Sequence, residues 1–149
     1  MDDLDRKILI ELQRDATTAL DDIAKKVGSS KTPVWNRIRK MRDAGIIERT
    51  VAIVNPDAVG LGTTFYVLVR TSQHESSWLE KFVAAIDRHP EIVSAHRLAG
   101  EIDYILKVQV ANARTFDAFY RSLISDVSIF NVTSLMSMEQ IKATTELPL

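Results

Sequence analysis

Residues 25–42 read KKVGSSKTPVWNRIRKMR, and this stretch decides the fold of the chain. It holds seven basic residues and no acidic one, although the whole chain nearly balances 19 basic against 20 acidic residues. Gly28 ends one apolar helix pattern, because only glycine adopts a left-handed backbone at low cost. A second apolar pattern follows at helical spacing, made of Val34, Ile38 and Met41. The stretch predicts two helices joined by a glycine turn, with the second helix basic and spanning about residues 31–43.

This arrangement is typical of the helix-turn-helix of DNA-binding proteins, whose second helix enters the major groove. Taken alone, the stretch also fits two amphipathic helices with a solvated basic face. A further helix that would close a three-helix core is predicted from the apolar spacing in residues 4–12. Ser30 or Thr32 is the expected N-cap of the second helix of the pair.

Composition limits the class of protein. The chain has 149 residues, of which 46% are hydrophobic and 26% charged, as in ordinary globular proteins of one domain or two small ones. It has no cysteine, which excludes a disulfide framework and a thiolate metal site. Acidic residues follow Met1, and no apolar run is long enough to span a membrane. We therefore expect a cytoplasmic protein with no export signal and no membrane partner.

Charge is distributed unevenly along the chain. Residues 1–50 carry 11 basic and 9 acidic side chains, whereas residues 51–149 carry 8 basic and 11 acidic ones. Only the first part is expected to face the phosphates of a nucleic acid.

The sequence after the helices predicts a domain boundary. Residues 46–53, IIERTVAI, are β-branched around a polar centre, which predicts a short two-stranded wing or a strand that leaves the helical unit. Asn55-Pro56 and two glycines at positions 60 and 62 predict a linker. We predict a winged helix-turn-helix domain at residues 1–53, a linker at 54–62 and a second domain at 63–149.

The second domain alternates between strand and helix patterns. Strands are predicted at residues 64–71, 92–98, 104–110 and 130–138, and helices begin near residues 76 and 112. This β-α-β-β-α-β order is that of the ferredoxin-like sandwich, so the fold class is α+β. Because two helices cover one face of a four-stranded sheet, the other face is expected to pack on a second copy of the chain.

Five short motifs lie in order along the whole chain. They are LDRKIL at residues 4–9, GSSKTP at 28–33 with RIR at 37–39, GII at 45–47, GEIDY at 100–104 and MEQIK at 138–142. Together they resemble the Lrp/AsnC family, the leucine-responsive and asparagine-synthesis regulators of transcription. The resemblance implies a sequence-specific regulator that binds double-stranded DNA, forms a homo-oligomer, needs no cofactor and responds to a small effector such as an amino acid.

The chain departs from the family pattern at four positions. Ser29 and Trp35 stand where leucine is usual, Lys31 where proline or alanine is common, and Glu101 where aspartate is usual. These changes bear on the target sequence and the effector.

The candidate DNA-binding residues include Ser30 and Trp35, and most of the others divide by role. Base contacts or groove lining are expected from the outward-facing Lys31, Thr32, Asn36 and Arg39, since asparagine can pair with adenine and arginine with guanine. Phosphate contacts are expected from Lys25, Lys26, Arg37, Lys40, Arg42 and Arg49.

Three of these assignments have alternatives. Arg37 lies near the buried edge of its helix and can instead pair with an acid of its own domain. Arg49 fits a solvated turn equally well. For Trp35 we expect a partly buried packing role rather than insertion into the groove.

The turn from Gly100 to Tyr104 is the candidate effector site. Asp103 can pair with the ammonium group of an amino acid, while backbone N–H groups near Gly100 bind its carboxylate. An aspartate at this position can equally stabilise its own turn. The resemblance places the effector between dimers, and the predicted pocket also includes Arg97, Glu101, Thr133, Ser134, Leu135 and Met136.

Two other function classes stay open at this stage. An effector-independent architectural DNA binder would share the first domain. A few proteins related in fold are haem-biosynthesis decarboxylases that use histidine. However, His74, His89 and His96 have no metal-site spacing, so we expect neither a metal site nor an enzyme. The sequence does not decide between a homodimer and an octamer.

Overall fold

The computed structural model describes residues 1–72 and 76–149. Within these residues the chain forms two compact units, Met1–Ile53 together with Ile141–Leu149, and Val54–Gln140. The last nine residues, which were predicted with the second domain, thus make their contacts in the first unit. No helix in the described ranges has the length and apolarity needed to cross a membrane.

Three helices form the first unit, all of whose residues are described: α1 (Asp3–Arg14), α2 (Leu20–Lys26) and α3 (Lys31–Asp43). Their apolar stripes meet in one core. Its buried members are Ile8, Leu9, Ile23, Ala24, Val27, Val34, Ile38 and Met41. Helices of 7 to 13 residues are marginal in isolation, so this shared burial is what stabilises them.

Helix α1 begins with a reciprocal capping box. The Asp5 N–H donates to Asp2 Oδ1 at 3.0 Å, and the Asp2 N–H donates to Asp5 Oδ2 at 2.9 Å. Both carboxylates also lie at the positive end of the helix dipole. This local chemistry determines where α1 starts.

The turn between α2 and α3 depends on Gly28. Its φ is +68°, and a Cβ at this position would meet no atom within 4 Å, so the need for glycine is conformational rather than steric. The Ser29 N–H donates to the Ala24 carbonyl at 2.9 Å and closes the end of α2. Ser30 occupies the N-cap position of α3, although its side chain makes no capping hydrogen bond.

The predicted wing is wrong, because residues 46–53 form neither strand nor helix. β-branched residues favour a strand only where a neighbouring strand supplies hydrogen bonds and packing. Here Val51 and Ile53 stay 58% and 76% exposed. The Ile47 N–H instead donates to the Met41 carbonyl at 3.2 Å, so the segment starts as part of the C-terminal cap of α3.

The C-terminal tail, Ile141–Leu149, is anchored on α1. The Gln13 Nε2 donates to the Leu147 carbonyl at 3.3 Å, and the Leu147 N–H donates to Gln13 Oε1 at 2.7 Å. Arg14 Nε lies 3.8 Å from Glu146 Oε2. The Gln13 amide therefore pairs with the tail as a backbone amide would in a β ladder.

The second unit begins with a short 3-10 helix, Asp57–Val59, and its described part then has four strands and two α-helices. They are β1 (Thr63–Arg70), α4 (Ser76–Arg88), β2 (Ile92–Arg97), β3 (Tyr104–Val110), α5 (Ala113–Asp126) and β4 (Asn131–Met136). The sheet order is β2-β3-β1-β4, with every neighbouring pair antiparallel. The predicted β-α-β-β-α-β order is confirmed.

The two faces of this sheet differ in burial. Val67 of β1 and Leu106 of β3 are fully buried in the core shared with α4 and α5. On the other face, which we name the open face, Tyr66 pairs with Leu135 of β4. Tyr66 is 36% and Leu135 50% exposed. Alternation along the strands thus leaves apolar side chains uncovered on the open face.

Candidate functional site

Helix α3 presents a polar row opposite its buried stripe. The row is Thr32, Asn36 and Arg39, spaced four and three residues apart, and each is exposed. Hydroxyl, amide and guanidinium groups in one line along an exposed helix can donate to and accept from the edges of bases.

Three lysines at the approach to this row have acidic partners. Lys25, Lys26 and Lys31 lie 3.5, 2.7 and 2.8 Å from the carboxylates of Asp22, Glu11 and Asp21, respectively. More than half of each lysine side chain is exposed. Exposed pairs of this kind are weak and screened by salt, so a phosphate can replace the carboxylate.

Arg37 is held inside the first unit. Its Nη1 donates to Asp2 Oδ2 at 2.6 Å and to Asp5 Oδ1 at 2.8 Å, so it ties α3 to the capping box of α1. The pKa values of both carboxyls are lowered, first by the backbone N–H that each accepts and next by Arg37. The same contacts raise the pKa of Arg37. This geometry favours an ion pair within its own domain for Arg37 over a contact with a DNA phosphate.

Lys40 and Arg42 present uncompensated charge on α3. Neither has a carboxylate within 4.0 Å among residues 1–72 and 76–149, and both are exposed. Arg49 is also exposed and lies in the segment without regular secondary structure after α3. These side chains are free to contact phosphates.

Trp35 is more exposed than predicted. Its exposed fraction is 49%, and the Arg39 guanidinium carbon lies 4.8 Å from the centroid of its ring. This is a cation–π contact between residues i and i+4 of a helix. The four-residue spacing is visible in the sequence, so a search for i, i+4 pairs would have found it.

The carboxylate of the candidate effector turn is engaged within the second unit. Asp103 Oδ2 accepts from the Thr71 N–H at 2.8 Å, and the Asp103 N–H donates to the Val69 carbonyl at 3.0 Å. The Leu98 N–H donates to the Asp103 carbonyl at 2.8 Å. Gly100 has φ +146°, a backbone conformation that favours glycine. The Asp103 carboxylate therefore joins its turn to the backbone at the end of β1, a partner that neither interpretation of the sequence named.

The other predicted effector residues do not share one surface. Thr133 lies on the open face, whereas Ser134 and Met136 of the same strand project to the face that carries the helices. The Tyr104 ring packs in the core, 4.8 Å from the Phe82 ring.

Arg97 and Glu101 are exposed, and neither makes an ion pair within the described residues. Within one chain, the predicted pocket is thus only partly assembled.

The two histidines that the structure describes lie in different surroundings. His89 is buried, with Nε2 3.2 Å from Asp126 Oδ2, and His96 is exposed on β2. His74 lies outside the described residues. In the described part of the chain, no group of three or more His, Cys, Asp or Glu residues is arranged to hold a metal ion.

Comparison with known families also finds two domains in the chain. An AsnC-type helix-turn-helix domain matches residues 1–42, and an Lrp/AsnC ligand binding domain matches residues 64–147. The chain belongs to the Lrp/AsnC family of transcriptional regulators. The regulator is 42% identical over 150 residues to the DNA-binding transcriptional activator DecR of Escherichia coli K12, covering 100% of this chain and 99% of DecR.

Solved structures agree with this assignment. The regulator matches the crystal structure of an AsnC family regulator from Agrobacterium tumefaciens with a TM-score of 0.96 and 47% identity, covering 99% and 97% of the two chains. It matches a Neisseria meningitidis regulator in complex with L-Met with a TM-score of 0.94 and 30% identity, covering 99% and 96%. The predicted family is confirmed, as is the α+β fold of a helix-turn-helix followed by a four-stranded sheet with helices, without the wing. The regulator is a transcription factor rather than an enzyme.

Proposed function

We propose that the regulator binds a specific operator as a homodimer, with α3 of each protomer in the major groove, and that an amino acid modulates this binding. One observation carries the proposal: the exposed row Thr32, Asn36 and Arg39 is flanked by Lys40 and Arg42, which no described carboxylate neutralises. Because the ligand is genomic DNA, we place the regulator in the cytoplasm.

The side chains divide into base and phosphate contacts. Asn36 suits adenine and Arg39 suits guanine, since each can form a pair of hydrogen bonds with that base. Lys40 and Arg42 approach the backbone on either side of the row. The exposed lysines at positions 25, 26 and 31 exchange their carboxylate partners for phosphates or base edges when DNA binds.

The open face of the sheet supports a homodimer. It exposes Tyr66 and Leu135 side by side, and exposed apolar patches on a sheet usually pack against a partner. A second copy of the chain offers the same patch, which suits a two-fold interface. Two recognition helices then contact half-sites about 34–36 Å apart, or a multiple of that distance.

An amino acid is the effector class that we propose. The Neisseria meningitidis relative is in complex with L-Met, which supports this class. In the regulator, the turn at Gly100 offers backbone N–H groups for a carboxylate, and the exposed Glu101 offers a charge for an ammonium. Asp103 orders this turn through its hydrogen bond to the Thr71 N–H.

Selection from a random-sequence duplex library tests the DNA-binding proposal. We expect the regulator to enrich one sequence with two similar half-sites. The Asn36→Ala/Arg39→Ala variant should lose this enrichment and keep its affinity for bulk DNA, because it retains the phosphate contacts. A library that the unaltered protein leaves unchanged would refute the proposal.

Light scattering on the full chain tests the dimer. Leu135→Glu places a charge on the open face and should yield a monomer at micromolar concentration. Val83→Glu is the matched control, because Val83 is 47% exposed on α4 and lies on the other side of the sheet. A dimer that survives Leu135→Glu as well as it survives Val83→Glu would place the interface elsewhere.

A further inference from the structure

Arg39 differs from the other cations of α3 in the kind of partner it has. Arg37 uses Nη1 on two carboxylates, and Lys31 lies 2.8 Å from Asp21. Arg39 contacts the face of an aromatic ring instead, with its guanidinium carbon 4.8 Å from the Trp35 centroid. A carboxylate partner occupies N–H donors and neutralises the charge. A ring face leaves the net charge of the arginine in place, because the ring itself carries no charge.

The direction of the contact also favours base recognition. Side chains on a helix lean toward its N-terminus, so Arg39 extends back over Trp35, one turn earlier in α3. The N-terminal part of a recognition helix is the part that contacts base edges. The contact with Trp35 therefore holds the guanidinium over the N-terminal half of α3.

We propose that Trp35 is a specificity-determining residue that positions Arg39 for bidentate contact with the O6 and N7 atoms of a guanine in the major groove. This inference rests on the proposed function. A free arginine loses conformational freedom when it binds, which costs about 0.5–1.5 kcal/mol for such a side chain, or about two- to twelvefold in affinity. The contact with Trp35 restricts Arg39 before DNA binds, so part of this cost is already met in the free protein.

Exposure makes Trp35 suitable for substitution. Trp35 is 49% exposed and is not a member of the buried core, whereas the adjacent Val34 is completely buried within it. Trp35→Leu removes the ring face, whereas Trp35→Phe keeps a smaller one. Melting curves should show both variants folded, which separates a positioning role from a structural one.

The probe is the duplex that the unaltered regulator enriches from a random library, with each guanine replaced in turn by 7-deazaguanine, which lacks the N7 acceptor. One guanine in each half-site should lose affinity on replacement, and Arg39→Ala should abolish this sensitivity. Trp35→Leu should weaken binding to the intact duplex about two- to tenfold and reduce the guanine sensitivity, with Trp35→Phe intermediate. Binding to a random duplex should not change.

A double-mutant cycle decides whether the two residues act together. If Trp35 acts through Arg39, then Trp35→Leu/Arg39→Ala should bind the duplex as weakly as Arg39→Ala alone. Additive losses, or an equal loss on random DNA, would show that Trp35 contacts DNA by itself and would overturn the inference while leaving the proposed function intact. Failure of the unaltered protein to enrich any duplex would overturn both.

Discussion

Replacing Lys40 by Met should reduce the salt dependence of DNA binding, whereas replacing Arg37 by Met should not. Both residues are cations of α3, and the sequence assigned both to phosphates. The structure separates them. Lys40 has no carboxylate within 4.0 Å in the described part of the chain, whereas Arg37 Nη1 lies 2.6 and 2.8 Å from Asp2 and Asp5.

The expected change in the salt dependence of DNA binding follows from the release of counterions from the phosphates. Each neutralised phosphate of duplex DNA contributes about 0.9 to the slope of log affinity against log salt. Between 50 and 200 mM salt, a fourfold change, one contact therefore accounts for about a 3.5-fold loss of affinity. Lys40→Met should remove this factor once per protomer that contacts the DNA, so a bound dimer should lose about 1.8 units of slope.

Fluorescence anisotropy on a labelled duplex, repeated at four or more salt concentrations, measures the slope directly. Lys40→Arg is the control that keeps the charge and should keep the slope. Arg37→Met should keep the slope as well and should instead lower the melting temperature, because it removes the link from α3 to the capping box. A slope that Lys40→Met leaves unchanged, or that both Met variants reduce equally, would refute the reasoning.

Three further predictions follow from other contacts. Asp103→Asn keeps an acceptor for the Thr71 N–H but loses the charge, so it should cost about 1 kcal/mol of stability. Its Kd, measured by calorimetry for the amino acid that most raises the melting temperature of the unaltered protein, should not change. A tenfold weaker Kd would assign Asp103 to the ammonium instead. Asp2 and Asp5 have pKa values lowered from 3.8. Their contribution to stability is therefore fully present above about pH 4 and is lost as the pH falls through the lowered pKa values. Melting temperatures that stay level from pH 5 to pH 2 would contradict this. Gln13→Ala should release the C-terminal tail, so that the Leu147 amide exchanges with deuterium about two- to tenfold faster. Arg14→Ala, which removes only the longer contact with Glu146, is the control and should have a smaller effect. Equal exchange in the unaltered protein and both variants would rule out the anchor.

Elements whose causes are local could be predicted from the sequence. Helix α3 spans Lys31–Asp43, as predicted, because its apolar period and the turn at Gly28 determine both its face and its start. Strand β3 spans Tyr104–Val110, again as predicted. The exposed row of Thr32, Asn36 and Arg39 follows from the same helical period.

Contacts between distant residues were decided only by the tertiary structure. Arg37 meets Asp2 and Asp5 across 35 and 32 positions, so its pattern on α3 could not separate a phosphate contact from an internal ion pair. The carboxylate of Asp103 meets the Thr71 N–H across 32 positions for the same reason. The predicted wing does not form, because the strand propensity of residues 46–53 cannot produce a strand without a neighbouring strand to pair with. Period and turn chemistry act over a few residues, whereas the partner of a charged side chain depends on which elements the fold brings together.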